Sequence, residues 1–150
     1  MIFGWARGQS RIRRPRAFTL LELSICVIMI GILVAFTVPS FTRVKEQNHV
    51  DAASQYLRSI WSAERVYWLE NRTFTDQLSN LNSLGLIDPK IAGGDDGFFQ
   101  YTITAATSNA FSVTAIRNGS AVWSGTLTIT QDGEVTGFVS GSAVLTPPDI

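Results

Sequence analysis

Charge is what residues 18–42 lack: the only charged side chain from Phe18 to Thr42 is Glu22. Cysteine is nearly absent as well. Cys26 is the only one, so no intrachain disulfide exists and the fold must be held by packing alone. Histidine also occurs once, at His49, with no cluster of further ligands around it and no nucleophile motif at any serine. That scarcity argues against a zinc site and against a Ser, His and acid trio. No enzyme is expected, and neither a cofactor nor a metal. The first 17 residues lack acids, and residues 43–71 lack both glycine and proline.

What fills residues 18–42 is an apolar run, Phe18-Thr19-Leu20-Leu21-Glu22 continuing to Pro39 and Phe41. As a helix it has the length to cross a bilayer, which takes about 20 residues. Arg7, Arg11, Arg13, Arg14 and Arg16 precede it. This basic flank places the N-terminus in the cytoplasm and everything after Thr42 across the membrane. A secretory signal peptide fits poorly, since the run is long and ends in Val38-Pro39-Ser40-Phe41. A lipoprotein signal fits no better, because Cys26 lies in mid-run. Glu22 is the anomaly: an ionisable group within a span costs at least ~2.5 kcal/mol and asks for a partner.

The string Arg16-Ala17-Phe18-Thr19-Leu20-Leu21-Glu22 resembles the processing site of type IV prepilins and of the related type II secretion pseudopilins. The resemblance covers the first third of the chain. It implies cleavage between Ala17 and Phe18 by a membrane prepilin peptidase, which then methylates the new amino terminus of Phe18. It further implies that Thr19 and Glu22 serve assembly, Glu22 pairing with the N-terminal amine of a neighbouring subunit. Pro39 matches the proline that commonly interrupts the first helix of such subunits. Ala17 departs from the usual glycine, a mild change that bears on the efficiency of cleavage. Removal of residues 1–17 takes away five of the twelve basic residues, leaving seven against twelve acidic ones, a formal −5. Such a head has no electrostatic footprint for nucleic acid. It also lacks the cysteine pair with which many Gram-negative pilins close a C-terminal loop.

Beyond Pro39 the period of 3.6 resumes. Val50, Ala53, Leu57, Ile60 or Trp61, and Tyr67 or Trp68 form one stripe. Glu46, Gln47, Asp51, Gln55, Arg58, Glu64 and Arg65 are expected on a solvated face between them. One helix from about Thr19 to Asn71 follows, ~75–80 Å long at 1.5 Å per residue, with Pro39 kinking or loosening it. Thr75 is expected to cap a turn through Leu81, with Leu78, Leu81 and Leu84 facing inward and Gly85 as a stop. Ile87-Asp88-Pro89 and Gly93 to Gly97 read as loop.

The period then changes to two. Phe99, Tyr101, Ile103 and Ala105 alternate with polar residues, as do Phe111, Val113 and Ala115, and then Leu127 and Ile129. Asn118-Gly119 and Asp132-Gly133 are turns, with Val135 to Val139 a last strand. Asp95 and Asp96 with Asp132 and Glu134 have the oxygens for calcium, yet both strings are ordinary turn compositions, the favoured reading. Trp61, Tyr67, Trp68, Phe98 and Phe99 are expected in core and helix–sheet packing.

The expected fold is α+β and pilin-like: a long N-terminal helix, its first half transmembrane, with three or four antiparallel strands on its second half. The expected domains are a cleaved leader 1–17, a transmembrane and polymerisation helix 18–42, and a head 43–150 (helix 43–71, loop 72–97, sheet 98–140). The resemblance implies a structural subunit of a type IV pilus-like filament, or else a type II secretion pseudopilin of a periplasmic pseudopilus. A membrane-tethered module that never polymerises is the remaining alternative. Implied partners are identical or related subunits, the prepilin peptidase and an inner-membrane assembly platform. The implied location is the inner membrane, head outward, then a filament outside it.

Overall fold

A computed structural model describes residues 18–148, without the side chains of 36–40. The leader 1–17, including Ala17, lies outside the described residues. Helix α1 runs from Leu20 to Asn71, close to the expected bounds. Its assignment is unbroken at Pro39, while the kink expected there falls where side chains are not described. The chain divides into two units, Met1–Val38 and Pro39–Ile150.

The first unit, as described, is helix from Leu20 onward, and every side chain from Phe18 to Ala35 is exposed. Among the described residues no helix is long and apolar enough to cross a membrane.

The second unit is built on the rest of α1. Val50, Ala53, Leu57, Ile60 and Ala63 are buried at spacings of three and four. Facing them is a meander in the order β1-β2-β3-β4-β5, antiparallel throughout. Its strands are Phe99–Ala106, Phe111–Arg117, Ser124–Thr130, Val135–Ser140 and Val144–Leu145. The inner face carries Phe99, Tyr101, Phe111, Val113, Ala115, Leu127, Ile129, Val135, Val139 and Leu145, all buried. Alternation at period two puts them on one side, as expected. The fifth strand, two residues long, goes beyond the three or four expected. It is too short to show an alternation.

Local chemistry accounts for the other departures. The register shifts between Ile103 and Ala105, so Ala105 turns outward instead of continuing the inward set. Gly137 (φ +108) pairs with Leu127, and a Cβ there would run into the Thr126 carbonyl oxygen. Helix α2, Leu78–Ser83, buries Leu78 and Leu81, but Leu84 is half exposed. Gln77, not Thr75, occupies its N-cap position. Where loop was expected, Pro89–Ala92 forms a one-turn α3. Asp88 caps it by accepting from the Lys90 N–H, and Pro89 stands at N1.

Candidate functional site

Thr19 sits just before α1, where its Oγ1 accepts from the Glu22 N–H at 3.1 Å and its carbonyl from the Leu23 N–H. This is the Thr-x-x-Glu arrangement of a capped helix start. It satisfies one otherwise orphaned amide and fixes Glu22 in the first turn, at the positive end of the helix dipole. Among the described residues nothing bonds to the Glu22 carboxylate. Around it Phe18 is 72% exposed, Leu20 87% and Leu21 70%, and the exposure of large apolar side chains continues through Val34. Single exposed apolar residues are ordinary on a surface, but a contiguous face of this size marks an interaction surface. Glu22 is thus an exposed acid set into an apolar face.

The second unit holds polar features of its own. The carboxylate of Glu46 in α1 takes the Arg117 guanidinium at the end of β2, Nη2 to Oε2 at 3.1 Å and Nε to Oε1 closer still. Both side chains are buried. Arg117 also donates to the carbonyls of Phe98 and Asn118, and its guanidinium lies near the Phe98 and Phe99 rings. His49 stacks on Phe98 with centroids 3.9 Å apart. Glu64 is completely buried; its Oε2 accepts from the Thr75 N–H at 3.0 Å, while Oε1 finds no donor among the described residues. Burial pushes its carboxyl up to about 7, against the pull of the Thr75 bond. Neither Glu46 nor Glu64 lies on the solvated face expected for them. Both continue the buried stripe, Glu46 four residues before Val50 and Glu64 four after Ile60.

The aspartates with oxygens for calcium are engaged locally. Asp96 Oδ1 accepts from the Phe98 and Phe99 N–H groups, and Oδ2 takes the Tyr101 hydroxyl at 2.8 Å. Burial, together with that carboxylate, holds the Tyr101 hydroxyl protonated well above its usual range. Asp95 Oδ1 accepts from Gly97 and Asp132 Oδ2 from Thr130. Among the described residues no three potential ligands gather around a metal position. Of the aromatics expected in packing, Phe99 is fully buried. Trp61 and Trp68 are half-buried with their indole N–H groups donating to the Gln131 and Ser108 carbonyls. Phe98 is 41% exposed.

A long helix with an exposed apolar start, together with a small antiparallel sheet, makes an α+β, pilin-like fold. Proteins of that class are similar in sequence. Over 112 residues the chain is 26% identical to the type IV wide pilus major component PilA4 of Thermus thermophilus, covering 75% of this chain and 81% of that one. It is 41% identical over 56 residues to the narrow pilus major component PilA5 of the same organism, 35% of this chain and 48% of that one. Against the type II secretion system core protein G of Pectobacterium carotovorum it is 32% identical over 77 residues, 51% of this chain and 49% of that one. The chain thus spans about half the length of PilA5 and of protein G. No family model matches it. The chain is thus similar in sequence to type IV pilins and to type II secretion pseudopilins.

Proposed function

We propose that this chain is a structural subunit of a type IV pilus-like filament. The observation that carries the reading is the exposed apolar start of α1 with Glu22 capped in its first turn and its carboxylate unpartnered among the described residues. In this reading a prepilin peptidase cuts between Ala17 and Phe18 and methylates the Phe18 amine. Residues 18–42 then hold the subunit in the inner membrane with its head outside the cytoplasm. An assembly platform extracts it into a filament, where α1 segments of neighbouring subunits replace lipid around one another. Glu22 meets the amine of an adjoining Phe18 and sets its register, and Thr19 keeps the first turn in shape for that contact.

The similarity to protein G supports a second reading, a subunit of a secretion pseudopilus in the periplasm. Both readings require the same processing, and the fate of the filament separates them. Intact-mass measurement of membrane-extracted protein is expected to show loss of residues 1–17 and one added methyl group on Phe18. Full-length chain in a host with an active prepilin peptidase would overturn both. Sheared surface filaments containing the chain favour the pilus, while their absence together with a block in secretion on deletion favours the pseudopilus.

A further inference from the structure

A cleft of about 370 Å³ opens in the second unit between the end of α1, the β1–β2 tip and the β3–β4 turn. It falls within the size range of small-molecule sites. Its wall is aromatic and held in place from several sides. The Trp68 indole N–H reaches from α1 to the Ser108 carbonyl at 2.7 Å, fixing the ring plane across the gap. Phe74 leans on Phe111 with centroids 4.7 Å apart and on Trp68 at 6.4 Å. Phe111 itself is buried core. Each ring is thus braced by a hydrogen bond or by a neighbouring ring.

The rim is polar and planar. Arg65 lies over the Trp61 ring, its Cζ 4.8 Å from the centroid, so stacking sets the guanidinium plane. Gln131 is anchored through its carbonyl, which accepts the Trp61 indole N–H, and Asn109 through its N–H, which donates to Thr107 Oγ1. The side-chain amides of both residues have no hydrogen-bond partner among the described residues. No acidic side chain lines the cleft among those residues. The nearby Asp132 accepts from the Thr130 hydroxyl, and a second cation, Arg72, lies over the Trp68 ring.

We propose that this cleft binds a saccharide ring that carries a carboxylate, a hexuronate unit. A pyranose offers an apolar C–H face to an aromatic wall and a rim of hydroxyls that both donate and accept. The unpaired amides of Asn109 and Gln131 supply both functions, and the Arg65 fork matches a carboxylate in shape and charge. A purely apolar ligand would engage none of the three planar polar groups on the rim. A neutral sugar would leave Arg65 unused. An amine would meet only positive charge.

The test is an equilibrium titration of the full chain in detergent with a hexuronate oligosaccharide, read by calorimetry, beside the neutral hexose oligomer of equal length. Saturable binding of the acidic sugar, with the neutral one at least about tenfold weaker, is expected. Arg65→Gln is expected to erase that difference. Asn109→Ala with Gln131→Ala, exchanged on the surface and checked for an unchanged circular dichroism spectrum, is expected to weaken both sugars. No saturable binding by the wild-type chain, equal binding of the two sugars, or acidic-sugar binding unchanged in Arg65→Gln would each overturn the proposal.

Discussion

Arg117 at the end of β2 closes on Glu46 of α1, joining residues 71 apart in sequence through a buried bidentate pair. The Nη1 of the guanidinium donates to the loop carbonyls of Phe98 and Asn118. The pair therefore ties the helix, the second strand and the entrance to the first strand together at one point.

Removing one partner strands the other charge in the interior. Arg117→Met, measured by urea denaturation of residues 43–150, is expected to cost about 3–5 kcal/mol. Adding Glu46→Leu is expected to recover most of that loss, because two apolar side chains replace the pair without an orphan. A loss below about 1 kcal/mol for Arg117→Met would mean that water reaches the pair.

Glu64 gives the head a pH dependence of defined sign. Its carboxyl moves from an ordinary 4.5 to about 7 on folding. Between those values the folded state holds the proton more tightly than the unfolded one. Stability contributed by this group is complete below about 4.5, falls as pH rises, and is gone above about 7. Denaturation midpoints across pH 4 to 8 are expected to show a descending contribution that Glu64→Gln removes. A profile that the substitution leaves unchanged would place the titration elsewhere.

Much of this was legible in sequence, and most of what was not depended on residues far apart in the chain. The long helix could be read because residues 43–71 hold neither glycine nor proline, and the strands because their period is two. Polarity alone assigned Glu46 and Glu64 to solvent. Position says otherwise: Glu46, Ala53 and Ile60 lie seven apart, as do Val50, Leu57 and Glu64, so both acids continue the core stripe. Their partners, Arg117 and the Thr75 N–H, come from distant chain and leave no local mark. The one-turn α3 did leave a mark, since Asp88-Pro89 is the capping pair of a helix start. In the candidate assembly site, Thr19 and Glu22 stood in a recognisable string, and the hydrogen bond between them adds a physical reason for its spacing. The cleft could not be read, because its wall and rim come from separate segments of chain.

The helix–sheet interface should be the main source of stability in residues 43–150. Leu57 is fully buried, and Leu57→Ala is expected to cost about 2–5 kcal/mol in the same denaturation experiment. A cost below about half a kcal/mol would mean that the stripe is not what holds the sheet.

The central claim is that Glu22 serves assembly, and it is tested most directly in a Glu22→Val strain. Cleavage is followed by intact mass, and filaments by shearing the cells in parallel with the wild type. An unpaired acid in an anchor is only a cost, so its loss should leave insertion and processing intact. In a growing filament, its absence leaves the Phe18 amine of the adjoining subunit without a counter-charge, a loss of the order of 3–5 kcal/mol for a buried pair. Normal removal of residues 1–17 with scarce or absent filaments is the result this account predicts. Normal removal with a wild-type yield of filaments would contradict it.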